Sequence, residues 1–129
     1  MLLSDAECNE GSLWEAVMFA RHHSLSNLVA IVDLNGQQAF GYTDQVLDLS
    51  PMADKWRIFG WEVIEVDGHD CEEIAAAASE SNGESPKVIV ARTVFGKGVS
   101  FMESQIKWHY WPMSDEEYLQ AMLEVGGGQ

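Results

Sequence analysis

Basic residues are scarce in this chain. It holds 7 Lys plus Arg against 21 Asp plus Glu, a formal charge of −14 at neutral pH. Phosphate backbones are bound by a basic face, so nucleic acid is excluded as a partner, and an anionic membrane surface on the same ground. Cysteine is scarcer still. Cys8 and Cys71 lie far apart and fit neither a metal-ligand spacing nor a disulfide framework, so two free thiols in a reducing compartment are expected. No apolar run approaches the ~20 residues of a membrane-spanning helix. The opening MLLSDAE has neither a basic leader nor a long apolar stretch, so a cytoplasmic location is expected. Internal repeats and linker-like segments are also missing, and 129 residues suit one domain.

What is present is enough to build a core: 47% hydrophobic and 10% aromatic residues. Residues 1–4 read as the tail of a buried strand. Residues 11–23 read as a helix, with Ser12 and Glu15 as a capping box and an apolar face of Leu13, Trp14, Val17, Met18 and Ala20. LVAIVD (28–33) is a continuous β-branched run, the pattern of a strand covered on both faces. A loop, LNGQQAFGYTD, follows it.

A second helix is expected from Ser50 as N-cap and Pro51 in the first turn to Gly60, turning Met52, Trp56 and Phe59 inward. A strand at 61–66 leads to an alanine-rich helix opened by Asp70 and Glu73 and closed at Ser81-Asn82-Gly83. A fourth strand, 87–93, precedes the loop FGKGVS and a last helix from Ser114 to about Glu124, and GGGQ ends the chain. This alternation predicts an α/β fold, a parallel sheet flanked by helices. The chain opens inside a core strand, so it is expected to be a piece of something larger.

Residues 4–16, SDAECNEGSLWEA, crowd Asp5, Glu7 and Glu10 into the hand-over from strand to helix. In open α/β sheets, ligands sit at the carboxyl ends of strands. Asp5 follows the first strand and Asp33-Leu34-Asn35-Gly36 ends the second. The helix between them returns the chain to the same edge, so Asp5 and Asn35 can lie side by side. A carboxylate and an amide oxygen, with a backbone carbonyl and waters, make the hard oxygen set that Mg²⁺ prefers. The helix start at Gly11-Ser12 adds N–H groups suited to an anion. On spacing alone a second reading stays open: Asp5 as a helix cap and Asn35-Gly36 as an ordinary turn.

The stretch around these residues resembles the transketolase family, especially the amino-terminal subunit of split bacterial members. The resemblance runs from SDAECNEGSLWEAVMFARHHSLSNLVAIVDLNGQQAFGYTDQVLDLSPMADKWRIFGWEVIEVDGHD through ARTVFGKGVSFME to WHYWPMSDEEYLQAM. It implies a partial thiamine-diphosphate-binding fold, with residues 1–125 as the C-terminal part of the diphosphate-binding domain and 126–129 as a tail. It implies thiamine diphosphate and Mg²⁺ as cofactors. Asp5 and Asn35 would be side-chain metal ligands, Gln37 would give a backbone carbonyl, and the Ala6 N–H would touch the diphosphate. Glu10 matches a glutamate at a subunit interface, and His109 a histidine near the diphosphate and the reacting carbon; both are catalytic candidates. Glu7 is left as a solvated bystander.

Two departures stand out: Ser4-Asp5-Ala6 replaces the usual Gly-Asp-Gly, and Tyr110 follows the histidine where glycine is usual. The implied activity is transfer of a two-carbon ketol unit between sugars. The resemblance leaves out the front of the diphosphate domain and the domain that carries the activating glutamate. The isolated chain is therefore expected to be inactive, and to work with the missing halves in trans or as a homo-oligomer. The alternative is a truncated, non-catalytic, folded or oligomerising module that binds no cofactor. His22-His23, His69 and Gly96-Lys97-Gly98 are read as structural, and Trp111 as exposed if a partner surface is missing.

Overall fold

The computed structural model describes residues 1–80 and 83–126. Four parallel strands form the central sheet: β1 (Leu2–Ser4), β2 (Val29–Leu34), β5 (Glu62–Asp67) and β6 (Lys87–Arg92), in the spatial order β1-β2-β6-β5. They fall within a residue or two of the four strands predicted from the sequence. Between β2 and β5 lie β3 (Gln37–Gln38), β4 (Gly41–Tyr42) and a one-turn helix, α2 (Thr43–Val46). The loop expected over this stretch thus contains a small antiparallel hairpin, too short to announce itself by periodicity.

Helices α1 (Gly11–His22) and α3 (Met52–Ile58) cover one sheet face. Val17, Ala20, Met52, Ala53 and Trp56 there meet Leu3, Ala30, Val32, Val88 and Val90. Helix α4 (Cys71–Ser79) covers the other face, where Ala77 joins Val66, Ile89 and Ala91. Strand β6 is the most enclosed, with Val88, Ile89 and Val90 fully buried. Trp56 anchors the first core: its ring lies 5.5 Å from Trp14 and 4.9 Å from Trp61, and Trp61 Nε1 donates to the Val17 carbonyl at 3.0 Å. Helix α5 (Asp115–Gly126) follows a 3₁₀ turn at Ile106–His109. No helix among the described residues is long and apolar enough to cross a membrane.

Several local expectations are corrected. The capping box is not Ser12–Glu15, since α1 begins at Gly11 with Glu10 at its N-cap and no side-chain cap bond. The reciprocal pair is Ser4–Glu7: Glu7 accepts the Ser4 N–H at 2.8 Å while Ser4 Oγ accepts the Glu7 N–H at 3.2 Å. These bonds close the turn that leads into a 3₁₀ turn at Glu7–Asn9, so exposed Glu7 has a local partner in Ser4. The α3 N-cap is Pro51 rather than Ser50, and Met18 is exposed rather than inward. Other starts hold. Asp70 caps α4 through the Glu72 and Glu73 N–H groups, and Ser114 and Glu117 form a reciprocal box before α5. Helix α3 stops at Gly60, whose φ of +83° suits glycine, and a Cβ there would meet Arg21 Nε at 2.8 Å. Of the expected closure of α4, Ser81 and Asn82 lie outside the described residues. So do residues 127–129 of the expected tail, while Gly126 closes α5.

Candidate functional site

The carboxyl ends of β1, β2 and β6 meet because the strands run parallel in register, with Ser4 beside Asp33 and Asp33 beside Ala91. The Asp5 N–H donates to the Asp33 carbonyl at 3.1 Å, extending the β1–β2 ladder by one residue. The Asp5 side chain then turns across the strand ends, and Oδ2 accepts the Gly36 N–H at 2.7 Å. Gly36 holds φ at +74°, which lets the chain double back after β2. Asp5 therefore does not cap a helix; it is tied to the Asn35-Gly36 turn.

Asp5 is only 2% exposed, and its Oδ1 has no hydrogen-bond partner among the described residues. Burial pushes its carboxyl above the ordinary aspartate range; the Gly36 hydrogen bond pulls it down, and the nearby Asp33 charge pushes it up again. An unpaired buried carboxylate oxygen is costly unless a cation or a proton meets it.

Asn35 has a defined orientation. Its Nδ2 donates to Asp33 Oδ2 at 3.3 Å, and its Oδ1 accepts the Gln37 N–H at 2.8 Å. Gln37 and Gln38 are buried, and Gln37 Oε1 also lacks a partner among the described residues. Asp5 opens onto a cavity of about 200 Å³ walled by Asn9, Leu34, Asp48, Pro51 and Arg92. Asn35 and Gln37 line an adjoining hollow, and Thr43 borders both. Among the described residues no three His, Cys, Asp or Glu side chains converge as a metal cage. The oxygen-bearing side chains at this edge are the Asp5 carboxylate and the Asn35 amide, hard donors of the kind that suit a cation already carrying a ligand's oxygens. By that test the residues fit Mg²⁺ bound together with a diphosphate.

The remaining candidates surround this edge. Ala6 opens the 3₁₀ turn that follows Asp5, and Glu10 is exposed at the N-cap of α1. The turn holding His109 packs beside β3, and the exposed His109 ring stacks 6.1 Å from Phe95. Tyr42 Oη donates to the Ser104 carbonyl at 3.0 Å, fastening that segment to the hairpin. His69 is structural, its Nε2 accepting the Val94 N–H at 2.8 Å. Trp111 is 66% exposed.

Sequence reasoning missed three participants: the Gly36 N–H on Asp5, the Thr93 hydroxyl that donates to Asp33 Oδ1, and the buried Gln37 side chain. None of the three carried a signal; their partner Asp33 did, as a carboxylate ending an apolar strand.

Comparison with known proteins identifies the family. The family model for the transketolase thiamine diphosphate binding domain matches residues 1–127. One of the subunits of the apulose-4-phosphate transketolase of Phocaeicola vulgatus is 39% identical over 127 residues, covering 97% of this chain and 45% of that polypeptide. The 6-deoxy-6-sulfo-D-fructose transketolase subunit SqwG of Clostridium sp. is 38% identical, with 96% and 46% covered. Human transketolase is 36% identical, with 96% of this chain and 20% of that protein covered. Among solved structures, transketolase from Campylobacter jejuni superimposes with a TM-score of 0.84 at 28% identity, covering 97% of this chain and 20% of that one. A Pichia stipitis transketolase reaches 0.87 at 27%, with 97% and 19% covered. The chain thus spans less than half the length of the subunits it matches. By sequence and by fold it belongs to the transketolase family, in the thiamine diphosphate binding domain.

Proposed function

We propose that this chain supplies the metal and diphosphate side of a transketolase-type site that other polypeptide segments complete. The observation that carries the reading is the Asp5 Oδ1 atom, buried and without a hydrogen-bond partner among the described residues beside the Asn35-Gly36 turn. Asp5 and Asn35 are the side-chain ligands for Mg²⁺ in this reading, and Gln37 gives its backbone carbonyl. The Ala6 N–H serves the diphosphate. Glu10, exposed at the start of α1, faces a partner chain, and His109 stands over the reacting end.

When bound, thiamine diphosphate supplies the carbanion and electron sink for cleaving a C–C bond beside a ketone. The chain's own residues bind and orient. These ligands would hold Mg²⁺, whose charge would offset the phosphate charge that a chain of −14 otherwise repels. Relatives named as transketolase subunits support a partner in trans, and a Pichia stipitis transketolase solved with sedoheptulose-7-phosphate supports sugar phosphates as substrates. The two free thiols fit a cytoplasmic setting.

Titration calorimetry of the purified chain with thiamine diphosphate, with and without Mg²⁺, tests the reading. Metal-dependent binding is expected, with no ketol transfer until a completing polypeptide is added. Absence of binding, alone and with that polypeptide, would favour a folded module that uses no cofactor.

A further inference from the structure

We propose that Asp33 is a positioning residue for the metal site and that Thr93 is its anchor. The inference rests on the metal reading above and adds what holds the ligands in place. A side-chain amide offers oxygen on one side and nitrogen on the other, and only the oxygen can ligate a cation. Which end is presented is set by the neighbours. Asp33 Oδ2 only accepts, so it selects the Asn35 Nδ2 end, at 3.3 Å. The Gln37 N–H only donates, so it selects Oδ1, at 2.8 Å. Both constraints agree on one orientation and leave Oδ1 with a second lone pair.

Asp33 also reaches the other side-chain ligand through its main chain, since its carbonyl accepts the Asp5 N–H at 3.1 Å. One residue thus sets the place of Asp5 and the orientation of Asn35. Its own carboxylate is held in turn by the Thr93 hydroxyl, which donates to Oδ1 just beyond the end of β6. Thr93 is itself fixed by its N–H on the Leu34 carbonyl at 3.3 Å. The relay runs across the sheet, from Thr93 beyond β6 to Asp33 in β2 to Asn35 in the turn. Charge-assisted bonds of this kind orient metal ligands in the way that carboxylates behind ligating histidines do.

The test is a Mn²⁺ titration of the whole chain in the presence of thiamine diphosphate, read by electron paramagnetic resonance, with heat denaturation run in parallel. Asp33→Asn and Thr93→Val are expected to weaken Mn²⁺ binding by about 10–100-fold, the usual range for residues behind the ligands. Thr93→Ser, which keeps the hydroxyl, is expected to restore wild-type affinity, which a purely structural role for the threonine methyl would not do. Thr93→Val is nearly isosteric and carries the test should Asp33→Asn fail to fold. Unchanged affinity in folded Asp33→Asn and Thr93→Val, with binding lost in Asn35→Ala, overturns this inference and leaves the metal reading standing. No Mn²⁺ binding by the wild-type chain, alone and with the completing polypeptide, overturns both.

Discussion

Asp5 Oδ2 accepts the Gly36 N–H at 2.7 Å across 31 positions of sequence, and that bond joins the ends of β1 and β2 into one site. It occupies one carboxylate oxygen and leaves the other buried without a partner among the described residues. Replacing Asp5 by Ala, or Asn35 by Ala, is expected to weaken Mg²⁺-dependent thiamine diphosphate binding by at least about 100-fold, roughly 2.7 kcal/mol. Calorimetry reads the loss. Glu7→Ala is the control. It removes the acceptor of the Ser4 N–H, so it costs about 1 kcal/mol of stability and leaves binding intact.

Lys87 is fully buried, and its Nζ donates to the Ala77 carbonyl at 2.9 Å and the Glu80 carbonyl at 2.8 Å, closing the end of α4. Lys87→Met keeps most of the volume but strands both carbonyls. Urea denaturation is expected to show a loss of about 2–3 kcal/mol with little change in slope. A loss within error would mean that the α4 end finds other donors.

The two thiols should react differently. Cys71 is exposed, whereas Cys8 is buried, and burial, with Asp5 and Glu7 nearby, pushes its thiol up to about 12. The thiolate is the reactive form. Ellman's reagent at mildly alkaline pH should therefore titrate one thiol promptly and the second only after denaturant is added. Two fast equivalents would contradict the burial of Cys8.

Glu65 receives Arg92 at 2.7 Å and Arg57 at 3.0 Å, and these hydrogen bonds hold its carboxyl below the ordinary glutamate value of 4.5. A depressed acid stabilises the fold above its unfolded-state pKa, and that contribution fades as pH falls through the folded value. The wild type should exceed Glu65→Gln in stability by less than about 1 kcal/mol at neutral pH, because the groups are largely exposed. The difference should fade as pH falls below the ordinary value of 4.5 and through the lower folded-state value. A gap that widens in acid would contradict the assignment.

Among the described residues strand β1 pairs only with β2, and Leu2 and Met1 are 72% and 57% exposed at that edge. An open edge with apolar neighbours favours pairing with another chain. Sedimentation at micromolar concentration is expected to show a closed oligomer burying at least about 1,200 Å² in total. A strict monomer would refute it.

By itself the sequence determined the strands and the layers. β-branched runs such as LVAIVD and KVIVAR leave few alternatives to a sheet covered on both faces, and Asp70 and Ser114 opened the helices expected of them. It also singled out Asp5 and Asn35, but their spacing alone left a cap and a turn as an open reading, and the family resemblance supplied the metal roles. The tertiary structure decided which local rules won. Ser12–Glu15 has the spacing of a capping box, yet the chain reached α1 through a 3₁₀ turn with Glu10 at the N-cap, and the reciprocal Ser4–Glu7 bonds formed upstream of it. The sheet order put β6 beside β2, and only that placement brought the Thr93 hydroxyl, 60 positions away, onto Asp33. Periodicity reports the face a residue presents and says nothing of which strand lies alongside, so the relay behind the ligands existed only once the four strand ends were assembled.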